Sequence, residues 1–449
     1  MVRVTDMTHG RPIRLILLFS LPLMLGSVFQ QLYTIVDTII IGRGVGMQAL
    51  ASIGAADWIN WLVLWGLQGF TQGFAILAAQ EFGAGAYDRL RRVLAMIVKL
   101  SCWFGIAVTI ISLLLVRPLL TLLHTDPAVF GGAQTYLYVQ FGGSLIIIAY
   151  NMAAAVLRCL GDSRTPLFAI IAASFANIAL DLLFVMGFGW VIFGASFATV
   201  LAQLIAFLLC LRSLRRLPFV QLTKADWKTD PAILLHLCRL GIPTGLQMSM
   251  ITLGGMVLQS VLNGFGVVFV AGYTAANKLY GILESASVAF GYAMTAYMGQ
   301  NRGARNAARI DAGIRAVLVL SAEFTAAIVT AMLVAGKPLL GLFLSTEEAG
   351  AADALAVAYQ YLMVLMAFLF ALFMLQAYRS SLQGLGEMTV PTLSGFAEML
   401  MRMGAALVLP TFIGQSGVFF AEGAAWVCAA ALNLVWYYMR IGKIKRDML

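Results

Sequence analysis

Charge is scarce in this chain. Asp, Glu, Lys and Arg make up 11% of its 449 residues, under half the share of an ordinary soluble domain. A soluble protein of this length would form two or three domains, and so few charges could not clothe their surfaces. Cysteine is equally thin: Cys102, Cys159, Cys210, Cys238 and Cys428 stand far apart with no CxxC pair, so zinc and disulfide-exchange chemistry lack support. Three His, all at or near expected loops, and 11 Pro leave a membrane-embedded enzyme and a collagen-like chain equally unsupported. The basic N-terminus runs into an apolar stretch longer than a signal-peptide core, with no small-residue cleavage site.

What is abundant is apolar surface: 61% of residues are hydrophobic, mean hydropathy is +0.91, and Gly numbers 43. Gly is commoner in membrane helices than in soluble ones. A helix needs about 20 apolar residues to cross roughly 30 Å of hydrocarbon. That rule predicts an all-α membrane protein with twelve transmembrane helices, near 13–41, 49–79, 93–116, 133–157, 165–189, 191–213, 233–264, 267–299, 313–336, 356–381, 390–413 and 418–439. With the N-terminus inside, 24 of the 29 Lys and Arg, Arg379 among them, collect at one side. Arg43, Arg117 and Lys337 take the other, and Lys278 and Arg402 stay within spans. This asymmetry is the positive-inside rule and places both termini in the cytoplasm. It also accounts for the net charge of +9 without nucleic acid, whose binding would cluster the bases on one element.

The chain repeats itself. Gln80-Glu81-Phe82-Gly83-Ala84-Gly85 resembles Gln300-Asn301-Arg302-Gly303-Ala304-Arg305, and Arg117-Pro118-Leu119-Leu120 resembles Lys337-Pro338-Leu339-Leu340, each at an offset of 220. Leu160-Gly161-Asp162 with Thr165-Pro166 resembles Leu385-Gly386-Glu387 with Pro391 at 225, and Pro22 lies 221 residues before Pro243. Each half then holds six spans: a lobe over 1–213, a polar cytoplasmic linker over 214–232, and a second lobe over 233–449. An even number of spans makes the halves parallel repeats, an arrangement expected of an alternating-access transporter rather than an enzyme.

Acids inside spans cost roughly 2.5–3.5 kcal/mol each at a helix centre and mark function by default. Asp37 in the first span, with Asn177 and Asp181 four apart on one face of the fifth, reads as a hard-oxygen site for a small cation or a proton. Alternatively, Asp37 marks the outer end of its span and pairs with Arg43. In the second half, Glu398 and Arg402 form an i,i+4 pair that neutralises itself and reads as structural, with substrate contact the alternative.

Pro22 with Asp37, the Gln80/Gly83 loop, the Leu-Gly-Asp…Thr-Pro loop, Asn177 with Asp181, and Gly194-Ala195-Ser196-Phe197-Ala198-Thr199 together resemble the multidrug and toxic compound extrusion (MATE) antiporters. The resemblance covers essentially the whole chain. It implies a bacterial plasma-membrane protein of two six-helix bundles, acting as a monomer in the lipid bilayer without a cofactor. It also implies export of cationic and amphipathic drugs in exchange for a coupling sodium ion or proton. By position, the cation site comprises Asp37, Asn177, Asp181 and Thr199, the sodium ligands if sodium couples. Tyr136 sits beside that site, and Pro22 lets the first span bend. One branch of the family carries an acid eight residues after the proline of span 7; here that residue is Ile251. Gln30 and Tyr33 near Asp37, and Met248, Met250 and Met256 in span 7, are cavity candidates, since flexible Met surfaces suit promiscuous binding; ordinary packing is the alternative for each. A flippase for a lipid-linked sugar or cell-wall precursor is the alternative function. It calls for several cavity bases, and only Lys278 and Arg402 lie in spans.

Overall fold

The computed structural model describes residues 4–45, 47–344 and 350–448, with the backbone alone for 32–45, 47, 48 and 50. Thirteen α-helices and no strand occur among the described residues. They are α1 (Pro12–Val45), α2 (Met47–Gly83), α3 (Tyr87–Leu122), α4 (Pro127–Gly142), α5 (Ser144–Cys159), α6 (Arg164–Asp181) and α7 (Val191–Arg215). After the linker come α8 (Pro231–Leu262), α9 (Val267–Gly303), α10 (Ala307–Gly341), α11 (Ala351–Gly384), α12 (Thr389–Ile413) and α13 (Phe420–Arg446).

Ten helical stretches are long and apolar enough to cross a membrane, and α4 with α5 forms an eleventh span bent by 49°. Two features depart from uniform apolar spans. The expected fourth span breaks at Gly143, where a side chain cannot fit: a Cβ there would lie 2.5 Å from Val200 Cγ2. The expected eighth span is α9, 37 residues long but diluted by Thr274, Asn277, Lys278, Glu284, Gln300 and Asn301.

Two compact units emerge. Unit 1 comprises Met1–Asp6 with Pro22–Gly245, and unit 2 comprises Met7–Leu21 with Leu246–Leu449. The start of α1 thus belongs to unit 2, and the start of α8 to unit 1. Each change of unit falls at or just after a helix-interior proline, Pro22 or Pro243, where a backbone hydrogen bond is missing. Within unit 1, the first turns of α8 pack on α2 at backbone distance: a Cβ on Gly73 would meet Gly241 Cα at 2.6 Å, and one on Gly245 would meet the Phe70 ring at 2.4 Å. Gly241 and Gly245 are four apart, the small-residue spacing that lets membrane helices approach closely.

The repeat is written into local geometry. Left-handed residues recur at matching positions: Gly85 (φ +67°) with Arg305 (+53°), Gly161 (+93°) with Gly386 (+74°), and Gly189 (+68°) with Gly414 (+70°). Arg89 Nε pairs with Glu81 Oε1 at 3.0 Å in unit 1, and Arg309 Nε donates to Asn301 Oδ1 at 2.9 Å in unit 2, again 220 residues on. In unit 2 that clamp grips the N-terminal segment. Met7 is fully buried, its N–H donates to Gln300 Oε1 at 2.8 Å, and Arg309 donates to Met7 O and Gly10 O, both at 2.8 Å.

The linker is ordered in unit 1. Thr223 and Asp226 form a reciprocal cap around a short 3-10 turn, Lys224–Trp227, and Lys99 Nζ donates to Thr229 Oγ1 at 2.9 Å. Against the desolvation of its carboxyl, hydrogen bonds from Thr223 and the Arg91 and Arg92 charges hold Asp226 below the usual carboxylate range.

Candidate functional site

In unit 1, α6 and α7 bring together three of the expected cation-site residues. Asn177 and Asp181 lie one helical turn apart on α6 and are 1% and 0% exposed, facing α7 rather than lipid. The Asn177 amide, oriented to satisfy both neighbours, donates to Asp181 Oδ2 at 2.9 Å and accepts from the Thr199 N–H at 3.1 Å. The Thr199 hydroxyl donates to Ala195 O at 3.1 Å. An amide donor satisfies a carboxylate lone pair but does not cancel its charge.

Immediately after Asp181 the α6 helix widens into a π-turn, Leu182–Gly187, with Phe188 N–H bonded to Leu183 O at 3.0 Å. Single π-turns are rare and cluster at functional sites; the apolar run LLFV gives no sign of this one in the sequence. Tyr136 packs against a buried cluster that includes Ala133, Leu137 and Phe141, and its hydroxyl accepts from Asn60 Nδ2 at 3.4 Å. Asn60, 4% exposed on α2, is a polar neighbour that the sequence pattern does not single out. Pro22 is half-buried within α1. Asp37 and Tyr33 belong to the same helix, but their side chains lie outside the described residues. Gln30 is exposed, and Met248, Met250 and Met256 are half-buried along α8.

Unit 2 holds a second polar group. Glu398 and Arg402 do pair across one turn of α12, at 3.1 Å, but they are not alone. Arg379 of α11 meets Glu398 Oε2 at 2.5 Å, and Glu422 of α13 meets Arg402 at 2.8 Å. Arg402 also donates to Ile251 O at 3.0 Å, so a guanidinium bond reaches α8 at the position where one branch of the family carries an acid. Arg379 is 3% exposed, which moves it from the cytoplasmic bases into the protein interior. Its partner lies 19 residues away on another helix, too far for a helical spacing rule to reveal. Glu284 of α9 hydrogen-bonds with Tyr280 and feels Glu422, Arg402 and Glu398. Lys278 stands apart, exposed on α9.

Among the described residues no three His, Cys, Asp or Glu side chains gather as a metal centre would require.

The MatE family model matches residues 22–183 and 243–408, once in each half. The chain is 31% identical over 455 residues to a probable multidrug resistance protein of Bacillus subtilis, YpnP, covering 99% of this chain and 98% of that protein. It is 26% identical to a second such protein of that organism, YoeA, over 96% of this chain and 94% of the other. A solved MOP superfamily transporter from Pyrococcus furiosus superposes with a TM-score of 0.91 at 24% identity, covering 99% of each chain, and so shares the fold. The chain therefore belongs to the MatE family, the multidrug and toxic compound extrusion proteins: it is a multi-pass membrane transporter, not an enzyme.

Proposed function

We propose that this transporter exports cationic and amphipathic drugs and toxic compounds in exchange for sodium ions or protons. The observation that carries the reading is the buried Asn177–Asp181–Thr199 group, a carboxylate held by a neutral amide inside a membrane-spanning bundle. Asp37 completes the site on the family pattern. An ion entering from outside occupies this site and lowers drug affinity; reciprocity requires that drug binding lowers ion affinity by the same factor. The ion gradient then supplies the work, with about 2.3 kcal/mol per charge from each 100 mV of membrane potential. Pro22, lacking one backbone hydrogen bond, lets α1 respond when the load on Asp37 changes.

Efflux of a fluorescent organic cation from proteoliposomes, with sodium and proton gradients imposed separately, tests the reading. One gradient should drive efflux, and Asp37→Asn should abolish that drive while membrane insertion and folding stay intact. Efflux indifferent to both gradients, or fully driven in Asp37→Asn, would overturn it.

A further inference from the structure

The α13 helix changes character along its length. Its exposed residues through Met439 are Val427, Ala431, Leu432, Val435, Tyr438 and Met439, as hydrocarbon contact requires. Trp436, Tyr437 and Tyr438 follow one another near the end of this run, and such rings gather where hydrocarbon meets headgroups. Arg440, Lys443, Lys445 and Arg446 come next. Arg440 lies about 20 residues past the start of the helix, about 30 Å along its axis at 1.5 Å per residue. That is the thickness of a hydrocarbon core, so these bases stand at headgroup depth.

The four bases are not equivalent. Lys445 is committed to Asp311 of α10, and beside it Tyr437 is buried with its ring 5.4 Å from that of Tyr378 on α11. These contacts hold the end of α13 in unit 2. Leu432, Trp436, Met439, Arg440 and Lys443 recur at helical spacing on the face opposite Lys445. There the Arg440 guanidinium lies over the Trp436 ring, 5.2 Å from its centroid, within cation–π range. The stacking keeps the guanidinium fork at the edge of the hydrocarbon. Arg440 Nε and Trp436 Nε1 are buried and have no acceptor among the described residues, and Lys443 is exposed one turn on. Asp447, the next acid on this face, acts on Arg302.

We propose that this face of α13 binds one anionic phospholipid, its phosphate between Arg440 and Lys443 and an acyl chain along Met439 and Leu432. A guanidinium takes a phosphate through two parallel hydrogen bonds, and the lysine adds a compact point charge. Basic side chains beside a span attract anionic headgroups. A zwitterionic phospholipid carries the same phosphate, but its choline cation meets the same two bases and is repelled. Lipid binding here holds whatever the cargo and the coupling ion are.

Native mass spectrometry of the full-length protein in a neutral detergent, titrated with phosphatidylglycerol or phosphatidylcholine, tests the site. One phosphatidylglycerol should bind with an affinity at least about tenfold higher than phosphatidylcholine, or 1.4 kcal/mol. Arg440→Gln with Lys443→Gln should abolish that preference. Lys224→Gln with Lys228→Gln, which takes two charges from the linker, should leave it in place. Phosphatidylglycerol with brominated chains should quench Trp436, read as the difference between wild type and Trp436→Phe, at ratios where brominated phosphatidylcholine does not. Equal affinity of the wild type for the two lipids overturns the site, as does quenching that Trp436→Phe leaves unchanged. A linker variant that loses as much as the α13 variant reduces the effect to net charge and also overturns it. If glycerol phosphate displaces the lipid at equal concentration, the face is a free-phosphate site and the lipid proposal falls.

Discussion

Replacing Glu398 with glutamine should be the most damaging single change in the interior of unit 2. Glu398 is 3% exposed and accepts from two guanidinium groups, Arg379 at 2.5 Å and Arg402 at 3.1 Å. At about 2.8 Å and an effective dielectric of 20, each contact is worth about 6 kcal/mol before desolvation is subtracted. What a mutant reports is the charge left behind. Arg402 keeps Glu422, but Arg379 keeps only weaker contacts such as Ser394 Oγ at 3.3 Å. Stranding a buried charge costs about 3–5 kcal/mol, so Glu398→Gln should lose that much. Glu422→Gln should lose less, since Arg402 then retains Glu398. The assay is thermal unfolding of detergent-purified protein with a double-mutant cycle. Pairing Arg379→Met with Glu398→Met should recover much of the loss, because replacing both members removes the unpaired charge. If Glu422→Gln proves the more damaging, or if the double variant is no better than Glu398→Gln, the assignment of Glu398 as the shared anion is refuted.

Other expectations follow from backbone geometry and from the linker. Gly143→Ala should cost about 1–3 kcal/mol, since its Cβ would press on Val200, and Val200→Ala in the same chain should relieve part of this in a melting experiment. Arg305→Gly should raise stability by about 0.5–1 kcal/mol, the left-handed strain released less the flexibility gained in the unfolded chain; an unchanged melting temperature would contradict the strain. The Asp226 carboxyl is held below its ordinary range, so its contribution is complete above the unfolded value near pH 4 and is lost as pH falls through the folded value. Pepsin should therefore begin to cut residues 221–229 in that acid window, and Asp226→Asn should expose the same segment to a neutral protease at pH 7.

Much of the fold is legible in the sequence, for a physical reason. Hydrocarbon demands a run of apolar residues whatever surrounds it, so spans such as 191–213 and 390–413 announce themselves locally, ending within two residues of α7 and α12. The repeat is legible because its turns need particular residues, and Gly161 and Gly386 both adopt positive φ. Asn177 and Asp181 are legible because one turn of helix aligns them. The remainder depends on partners distant in sequence. Gly143 reads as one more small residue until Val200 arrives against it. Arg379 reads as one more base at the cytoplasmic end of its span until Glu398 is found beside it. The expected six-span lobes contain no hint that 7–21 packs in the other unit, because contact, unlike periodicity, leaves no local mark.

That exchange of helix starts bears on how the chain is made. Residues 7–21 leave the ribosome well before the rest of the unit that shelters them, which consists otherwise of 246–449. Unit 1, conversely, is not whole until 231–245 emerge, after every other part of it has been translated. Unit 1 can therefore be completed before residue 246 is made, but the second unit has already been started by 7–21, unlike chains of independent domains that are made one after the other. Its earliest helix must wait in the bilayer with an unfilled face, and completion of the second unit is also the step that anchors the beginning of the chain.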